Sequence, residues 1–400
     1  MANLQEIYSL SRFEINPGLE STETLLAALG NPHSKFKSVH IAGTNGKGST
    51  AACIESVLRL SKKTGLYTSP HLHKFNERVR VNGVPVSDEV MEGLIDEIMA
   101  VAKSNDIKPT FFEFTTALAF LHFARSGVDI AIVETGMGGR LDSTNVITPL
   151  VSVITNIGLD HTTWLGSSKS KVAREKAGII KEGVPVVSGS RTKEVLDIIE
   201  KVAKEKNAPI HYTRTLQVMP ISESLEKQIF RIEGVEYTLP LLGRHQIDNA
   251  RCAILTCRIL GINEEEIKEG LDKVEWEGRM QIIKEDPLII VDGAHNKEGM
   301  DALLEFIRPY KKDVLVVALK DKKKPLELLE DIAPLFKNII ITMGEYKPKD
   351  PHDIVGALGS GLVVKDVPEA IRKAKMLQED GLLLVAGSIY MIGAAMRTLN

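Results

Sequence analysis

Apolar and polar residues follow two recurring patterns along this chain. Short apolar runs rich in valine and isoleucine predict β-strands, and longer stretches with apolar residues on one face predict α-helices. The alternation of the two favours a mostly parallel sheet with helices on both faces. In the first two-thirds of the chain, strands are predicted at 37–42, 64–68, 129–133, 150–155 and 184–187, and helices at 47–61, 87–103, 112–125, 168–177 and 192–204.

A second α/β series begins near residue 287 and predicts a smaller, Rossmann-like domain. Asn82-Gly83 and Glu233-Gly234 predict two hairpins, and residues 245–272 are predicted to be helical. We therefore expect an α/β protein with a larger domain, built on a mostly parallel sheet, at 1–280 and a Rossmann-like domain at 281–400. The later strands are predicted at 287–291, 313–319, 337–342, 361–364 and 382–386, and the later helices at 296–309, 325–335, 367–378 and 388–398.

Composition excludes several classes of protein. A net charge of −3 argues against a nucleic-acid-binding protein. The cysteines Cys53, Cys252 and Cys257 form no CxxC pair, which argues against a disulfide framework or a zinc site and fits a reducing cytoplasm. We see neither a signal peptide nor an apolar run near the ~20 residues of a membrane helix. We expect a cytoplasmic protein with no membrane or nucleic-acid partner.

The segment from Val39 to Thr50 has the layout of a phosphate-binding loop. A β-branched run enters a glycine-rich turn, and a helical pattern follows Lys47. Backbone amides, the helix N-terminus and the lysine together favour the phosphates of ATP. In the common P-loop, the residue after this lysine is a serine or threonine that binds magnesium; here it is Gly48, and Ser49 follows. The alternative is a glycine-rich turn without a ligand.

Polar residues follow several predicted strands, at the sheet edge where α/β proteins bind ligands. Glu134 ends one strand, and its carboxylate suits magnesium. Asp160-His161 follows the next strand, and Ser69 follows 64–68 and could supply the oxygen that Gly48 lacks. From the local pattern alone, these residues are equally compatible with ordinary turns.

Lys176 shares an apolar helical stripe with Val172 and Ala173. Burial there would lower its pKa and leave a reactive neutral amine. The alternative, favoured by pattern alone, is a lysine that extends to solvent.

Together these blocks resemble the folylpolyglutamate synthase / dihydrofolate synthase family of the Mur ligase superfamily. The resemblance covers nearly the whole chain and implies an ATP-binding domain followed by a Rossmann-like domain. It rests on HIAGTNGKGST, GLYTSPHL, ETGMGGRLDSTN, Asp160-His161 with Glu175 to Ile179, GRHQIDNA and VDGAHN, in that order.

The resemblance also implies roles for individual residues. It makes Lys47, Lys176 and His161 catalytic, Lys176 as a carbamate, and Ser69, Glu134 and His161 magnesium ligands. The implied ATP contacts are Gly43, Thr44, Asn45, Gly46, Lys47, Gly48, Ser49, Asn249, Arg279 and Asp292. Thr110, Phe111, Phe112, Glu113, Leu141, Asp142 and Ser143 match the pterin-side pocket, and His295 and Ser388 match the glutamate site.

The implied activity is ATP-dependent ligation of L-glutamate to dihydropteroate, to the glutamyl tail of tetrahydrofolate, or to both, through an acyl phosphate. Two magnesium ions, a potassium ion and a monomeric state are part of this expectation. Ser21 and Lys323 depart from the family pattern and leave the choice of acceptor open. The alternatives are a Mur-type ligase for another carboxylate acceptor, against which Gly48 and PTFFEFTT stand, and a nucleotide-binding regulator without ligation.

Overall fold

The computed structural model describes residues 6–8, 10, 18–160 and 162–399, and for Thr162 the backbone alone. His161 therefore lies outside the described residues. The chain divides into two compact units that interleave in sequence, while the domain boundaries at 1–280 and 281–400 stay a prediction. The first unit comprises 1–219, 231–237 and 248–274, and the second comprises 220–230, 238–247 and 275–400.

An eight-stranded sheet forms the centre of the first unit, in the order β4-β3-β2-β5-β1-β6-β7-β8. The pairs from β2 to β8 are parallel, and the hairpin strands β3 and β4 add an antiparallel edge. The strands are β1 Lys37–Ala42, β2 Thr64–Tyr67, β3 Val79–Val81, β4 Val84–Pro85, β5 Ile130–Glu134, β6 Val151–Ile154, β7 Val186–Ser188 and β8 Ile210–Tyr212.

Helices cover this sheet, and its central strands are apolar because both faces are buried. Between Arg244 and Ile259 the chain forms α8, whose first residues belong to the second unit. The other helices of the first unit are α1 Glu20–Ala28, α2 Lys47–Leu58, α3 Asp88–Ser104, α4 Phe111–Arg125, α5 Thr162–Leu165, α6 Lys169–Ala177, α7 Lys193–Glu205 and α9 Glu264–Asp272.

Strand β1 lies between β5 and β6, and this register positions the site. Ile41 pairs with Glu134 on one side, and Ala42 pairs with Ile154 on the other. All three strands are parallel, so their carboxyl ends meet at one edge. The phosphate-loop segment, Glu134 and the residues after Ile154 thus converge.

The second unit contains a six-stranded sheet in the order β12-β13-β17-β14-β15-β16, parallel except for β12. Its apolar core lies between this sheet and the helices around it. The strands are β12 Gln281–Glu285, β13 Leu288–Val291, β14 Lys312–Val317, β15 Asn338–Ile341, β16 Leu362–Val363 and β17 Leu382–Ala386; the helices are α10 Lys297–Ile307, α11 Pro325–Leu329, α12 Pro351–Leu358, α13 Val367–Leu377 and α14 Ile389–Leu399.

A small third sheet, β11-β10-β9, has residues in both units and contains the second predicted hairpin. Glu233 and Gly234 turn with positive φ angles of 51° and 86°, as Asn82 and Gly83 do at 50° and 77°, which confirms both turns. The strands are β9 Val218–Glu223, β10 Gln228–Ile232 and β11 Val235–Leu239.

The predicted helical segment 245–272 is helical on both sides of a break near Gly261, whose φ is +76°. One predicted helix is wrong in extent. The segment 325–335 is α-helical only to Leu329 and ends in a separate 3₁₀ turn at Ala333–Leu335. Among the described residues, the helices all lack the length and apolarity that crossing a bilayer requires.

Candidate active site

The phosphate loop connects β1 to α2 and is shaped by two glycines. Gly46 has a φ of +78°, and a Cβ atom there would lie 2.1 Å from Oδ1 of Asn249. A Cβ atom on Gly43 would lie 1.8 Å from Oγ1 of Thr155. A side chain at either position would therefore have to displace the neighbour that packs there. The contact also brings Asn249, from α8, against the loop, where the sequence predicted an ATP-binding residue.

Residues after β6 fix the start of this loop. The amide of Thr44 donates to the carbonyl oxygen of Asn156 at 2.9 Å, and that of Asn45 donates to Oδ1 of Asn156 at 2.8 Å. Oγ1 of Thr155 donates to the carbonyl oxygen of Asn45 at 2.7 Å, and Oγ1 of Thr44 donates to that of Gly158 at 3.0 Å. The amides of Thr44 and Asn45 therefore fix the conformation of the loop and are not available to bind a phosphate.

The next amides belong to the first turn of α2. Gly46 is the residue before this helix, and Lys47 is its first residue. The first amides of an α-helix have no acceptor within the helix, and the helix dipole adds partial positive charge there. Gly46, Lys47, Gly48 and Ser49 thus provide the part of the loop that suits a phosphate.

Lys47 lies back against its own loop. Its Nζ donates to the carbonyl oxygens of Gly43 and Thr44 at 3.1 and 3.3 Å, and lies 3.9 Å from Oε1 of Glu134. The ammonium group therefore lies between the phosphate loop and the acid at the end of β5.

Glu134 and Ser69 lie together, as their neighbouring strands predict. The amide of Ser69 donates to Oε2 of Glu134 at 3.1 Å, and Glu134 is only 5% exposed. Carboxylate and hydroxyl oxygens are donors of the kind that magnesium prefers. Two of the three predicted ligands thus lie side by side and carry suitable oxygen atoms, and their role as magnesium ligands stays a prediction.

Lys176 is 4% exposed on α6, beside the buried Val172 and Ala173. This burial follows the apolar stripe and rules out the extended, solvated conformation. Its Nζ donates to the carbonyl oxygen of Gly43 at 2.6 Å. Burial, with the nearby charge of Lys47, lowers the pKa of Lys176 from 10.5 to about 7.

Thr110 and Glu113 form a capping box at the start of α4. The amide of Thr110 donates to Oε2 of Glu113 at 2.7 Å, and the amide of Glu113 donates to Oγ1 of Thr110 at 3.4 Å. Oγ of Ser21 donates to the same Oε2 at 3.1 Å, so this departure from the family pattern contacts the cap. The capping box orients the two phenylalanines that it encloses.

Phe111 and Phe112 differ in exposure. Phe111 is 3% exposed and packs against Phe75 and under the guanidinium of Arg78, which lies 5.4 Å from the Phe111 ring centroid. Phe112 is 37% exposed, and its Cε1 would lie 2.8 Å from a Cβ atom on Gly136. Phe112 therefore offers an accessible aromatic ring beside the loop that follows β5.

Asp142 organises that loop, which we call the acceptor loop, residues 135–143. Its Oδ2 accepts from the amide of Met137 at 2.8 Å, and its Oδ1 accepts from the amide of Thr144 at 3.1 Å. Burial raises the pKa of Asp142, and these hydrogen bonds oppose the rise. Its neighbours Leu141 and Ser143 are half-buried.

In the second unit, Arg279, Asp292, His295 and Ser388 gather at adjacent strand ends. Asp292 follows β13 and accepts from the amides of Met280 and Ala294 at 2.8 and 2.7 Å. Nη1 of Arg279 would lie 2.2 Å from a Cβ atom on Gly293.

His295 and Ser388 complete this group, Ser388 from the loop after the neighbouring strand β17. Nδ1 of His295 lies 3.0 Å from the carbonyl oxygen of Gly293. The amide of Gly387, after β17, donates to the carbonyl oxygen of Ala294 at 3.0 Å, which brings the neighbouring Ser388 to the same edge. The unit thus carries its own group of polar residues at the carboxyl end of its sheet.

Comparison with known proteins decides the family. Residues 41–257 match the Mur ligase middle domain, and residues 278–389 match the Mur ligase, glutamate ligase domain. The chain is 40% identical to the dihydrofolate synthase/folylpolyglutamate synthase of Bacillus subtilis over 351 residues, 82% of each chain. It is 34% identical to the folylpolyglutamate synthase of Lacticaseibacillus casei, over 94% of this chain and 93% of that one.

The chain belongs to the folylpolyglutamate synthase and dihydrofolate synthase family of Mur ligases. Solved structures agree: Mycobacterium tuberculosis folylpolyglutamate synthase, complexed with ADP and AMPPCP, aligns with a TM-score of 0.90 at 28% identity, covering 100% of this chain and 98% of that one. E. coli FolC in complex with DHPP and ADP also gives 0.90, at 29% identity, covering 100% and 97%.

The resemblance read from the sequence is therefore confirmed, as are the fold class and the assignment to ATP-dependent ligases. The roles of individual residues stay predictions. Within the first unit of this Mur ligase, the structure brings together the phosphate loop, Ser69, Glu134, Lys176 and Asn249, and separately joins Phe112 to the acceptor loop.

Sequence reasoning missed Thr155 and Asn156, which hold the phosphate loop. Both lie in the block after β6, in which only Asp160-His161 was predicted to be functional. A threonine and an asparagine directly after a strand that neighbours the phosphate-loop strand were the available signal. Their partners lie 110 and 111 residues away, which no local pattern reveals.

Proposed function

We propose that this Mur ligase joins the amino group of L-glutamate to a carboxylate of dihydropteroate, of the glutamyl tail of a reduced folate, or of both, with cleavage of ATP. The observation that carries the proposal is the convergence of Lys47, Glu134 and Lys176 around the carbonyl oxygen of Gly43 and its loop. Relatives named for these two activities support the acceptor class.

The first step activates the acceptor. An oxygen of its carboxylate attacks the γ-phosphorus of ATP, the bond to the bridging oxygen breaks, and ADP leaves with that electron pair. Lys47 and the first-turn amides of α2 bind the phosphates and neutralise their developing charge. The acyl phosphate that forms carries the activated carbonyl carbon.

The second step forms the amide. The neutral amine of L-glutamate attacks the carbonyl carbon, inorganic phosphate leaves with the electron pair of the C–O bond, and the nitrogen loses a proton. His295 and Ser388 are our candidates for binding this glutamate, and Arg279, Asp292 and Asn249 for binding ATP. This chemistry uses no nucleophilic serine or cysteine.

Ser69, Glu134 and His161 are the proposed magnesium ligands, for two ions. Bound there, magnesium would offset the negative charge of the phosphates. The amide of Ser69 fixes the Glu134 carboxylate in the first unit, so the acid is held before any ligand arrives. From the family resemblance we also propose that potassium activates the enzyme.

We also propose that Lys176 is carried as a carbamate. Its neutral amine attacks carbon dioxide, an N–C bond forms, one C=O electron pair moves to oxygen, and the nitrogen loses a proton to solvent. The buried position and lowered pKa of Lys176 supply the neutral amine near pH 7.

The pterin-side residues are proposed to be Phe112 with Leu141, Asp142 and Ser143. Thr110, Glu113 and the buried Phe111 serve this surface by orienting Phe112 at the start of α4. A monomeric, cytoplasmic enzyme completes the proposal, and the free, buried Cys53, Cys252 and Cys257 suit a reducing compartment.

The deciding experiment measures incorporation of labelled L-glutamate, dependent on ATP and magnesium, with dihydropteroate and tetrahydrofolate in parallel. Incorporation with either acceptor supports the ligase, and the pattern names its preference. Phosphate release without incorporation in both reactions would contradict the proposed acceptors.

A further inference from the structure

A buried histidine that takes no part in the proposed chemistry lies in the central strand beside the site. His40 is fully buried in β1, between β5 and β6. Its Nε2 lies 2.8 Å from Oγ1 of Thr144, a residue 104 positions away that is itself 1% exposed. Burying a polar ring at the centre of a sheet costs free energy, so this contact calls for an explanation.

The direction of the hydrogen bonds follows from counting protons. Oγ1 of Thr144 donates its single proton to Oδ1 of Asp142 at 2.5 Å. The hydroxyl has no second proton to give, so Nε2 of His40 must donate to it. The imidazole is therefore the tautomer with its proton on Nε2, and burial, with the charge of Lys181, lowers the pKa of His40 to about 3, which keeps it neutral.

The chain of hydrogen bonds ends on the acceptor loop. Asp142 accepts from Thr144 with one oxygen and from the amide of Met137 with the other, and so closes the loop across five residues. On one side, Gly136 of this loop lies against the ring of Phe112.

On its other side the acceptor loop lies against α6, which carries Lys176. The amide of Arg140 donates to the carbonyl oxygen of Glu175 at 2.7 Å. A Cβ atom on Gly139 would lie 2.9 Å from the carbonyl oxygen of Lys176. A displacement of the acceptor loop would thus change its contacts both with Phe112 and with the helix that carries Lys176.

We propose that His40 is a positioning residue for the acceptor substrate: through Thr144 and Asp142 it holds the acceptor loop against Phe112 and α6. This rests on the proposed function, which makes Phe112 and the acceptor loop the pterin-side surface. His40 contacts neither ATP nor the reacting atoms in this assignment, so its loss changes acceptor binding and leaves ATP binding intact.

The kinetic test uses Thr144→Val, which removes the hydroxyl at nearly constant shape, Thr144→Ser, which keeps it, and His40→Leu. We expect Thr144→Val and His40→Leu to raise the KM for the pterin acceptor about tenfold, the effect of leaving a buried polar group unpaired, with the KM for ATP unchanged. Thr144→Ser should resemble the parent enzyme. Ser38→Ala is the matched control, since Ser38 is a buried polar residue on the same strand.

The structural test needs no catalysis. In the ¹⁵N NMR spectrum of the histidine-labelled protein, His40 should show a protonated Nε2 and an unprotonated Nδ1, and Thr144→Val should shift the Nε2 resonance. A proton on Nδ1, or equal rises in both KM values for all three variants, would overturn the inference. Parent enzyme that uses neither acceptor would instead contradict the proposed function, and the NMR result would still decide the hydrogen-bond chain.

Discussion

The ammonium group of Lys176 donates a hydrogen bond to the carbonyl oxygen of Gly43 at 2.6 Å, and so joins α6 to the first residue of the phosphate loop. Lys47 donates to the same carbonyl oxygen at 3.1 Å. Burial is the main cause of the lowered pKa of Lys176, and the repulsion between two lysines on one acceptor adds to it. Conversion of the inner lysine to an anionic carbamate would replace this repulsion with attraction.

Replacement of Lys176 by alanine should therefore abolish most ligation, because it removes the proposed carboxylate. We expect a loss of about a hundredfold or more in kcat. Short carboxylic acids such as formate or acetate should restore part of the activity by occupying the space that the side chain leaves. Lys171→Ala, on the exposed face of the same helix, is the control. Full activity of the Lys176→Ala protein would rule out an essential role.

The carbamate should depend on pH in a definite direction. Because the pKa of Lys176 is lowered to about 7, its neutral amine becomes abundant as pH rises through 7. With ¹³C-labelled carbon dioxide, a carbamate NMR signal should be weak near about pH 6 and strong near about pH 8. The Lys176→Met protein should lack this signal, and an unchanged spectrum in that variant would assign it to another amine.

The same shift affects stability. The unfolded lysine keeps its proton up to its ordinary pKa of 10.5, while the folded one loses it near 7. Between these values the unfolded state binds more protons, so this group makes the free energy of unfolding rise with pH. Lys176→Met should thus stabilise the protein most below about pH 7, and the gain should shrink toward about pH 10 in denaturant titrations. A gain independent of pH would show that Lys176 is not neutral in the folded state.

Gly46→Ala tests the shape of the phosphate loop, with an unusually close control. Gly46 and Gly30 share a φ of +78°. A Cβ atom on Gly46 would clash with Asn249, whereas a Cβ atom on Gly30 would meet no atom within 4 Å. Both alanine variants should lose about 1 kcal/mol from the left-handed backbone. Only Gly46→Ala should also lose ATP affinity in calorimetry. Equal ATP affinity in the two variants would contradict the role of this contact.

Thr155→Val tests the clamp on the loop, because it deletes the hydrogen bond to the carbonyl oxygen of Asn45 at nearly constant volume. We expect the KM for ATP to rise up to about tenfold, the effect of one buried hydrogen bond. Thr155→Ser keeps the hydroxyl and should preserve ATP use. A loss shared equally by both variants would indicate packing of the methyl group instead.

Ser69→Ala isolates the proposed magnesium oxygen. The Ser69 amide that holds Glu134 is part of the backbone and survives the substitution, so the acid keeps its position. The magnesium concentration for half-maximal activity should rise several-fold, about the effect of losing one oxygen ligand. Glu134→Gln, which removes charge from the same place, should have the larger effect. An unchanged magnesium response in Ser69→Ala would indicate that Ser69 is an ordinary turn residue and not a magnesium ligand.

Much of this ligase could be predicted from local pattern. The strands around the site were predicted to within two residues at most ends, because parallel strands buried on both faces are continuous apolar runs. For Lys176 the pattern alone favoured a side chain that extends to solvent, and the structure shows instead that the side chain is buried with its apolar stripe. The helical structure predicted at 245–272 is present, but the periodicity did not reveal that it divides into two helices near Gly261, which has a positive φ.

The sequence by itself determined the order of strands and helices, the phosphate loop, the family and the residue types that the chemistry requires. Only the tertiary structure decided which of them meet: that Asn249 packs on Gly46, that Asn156 holds the amide of Asn45, and that His40 reaches Asp142 through Thr144. The reason is physical. Helical and strand patterns report the nearest few residues, whereas these hydrogen bonds join strands that become neighbours only when the sheet assembles.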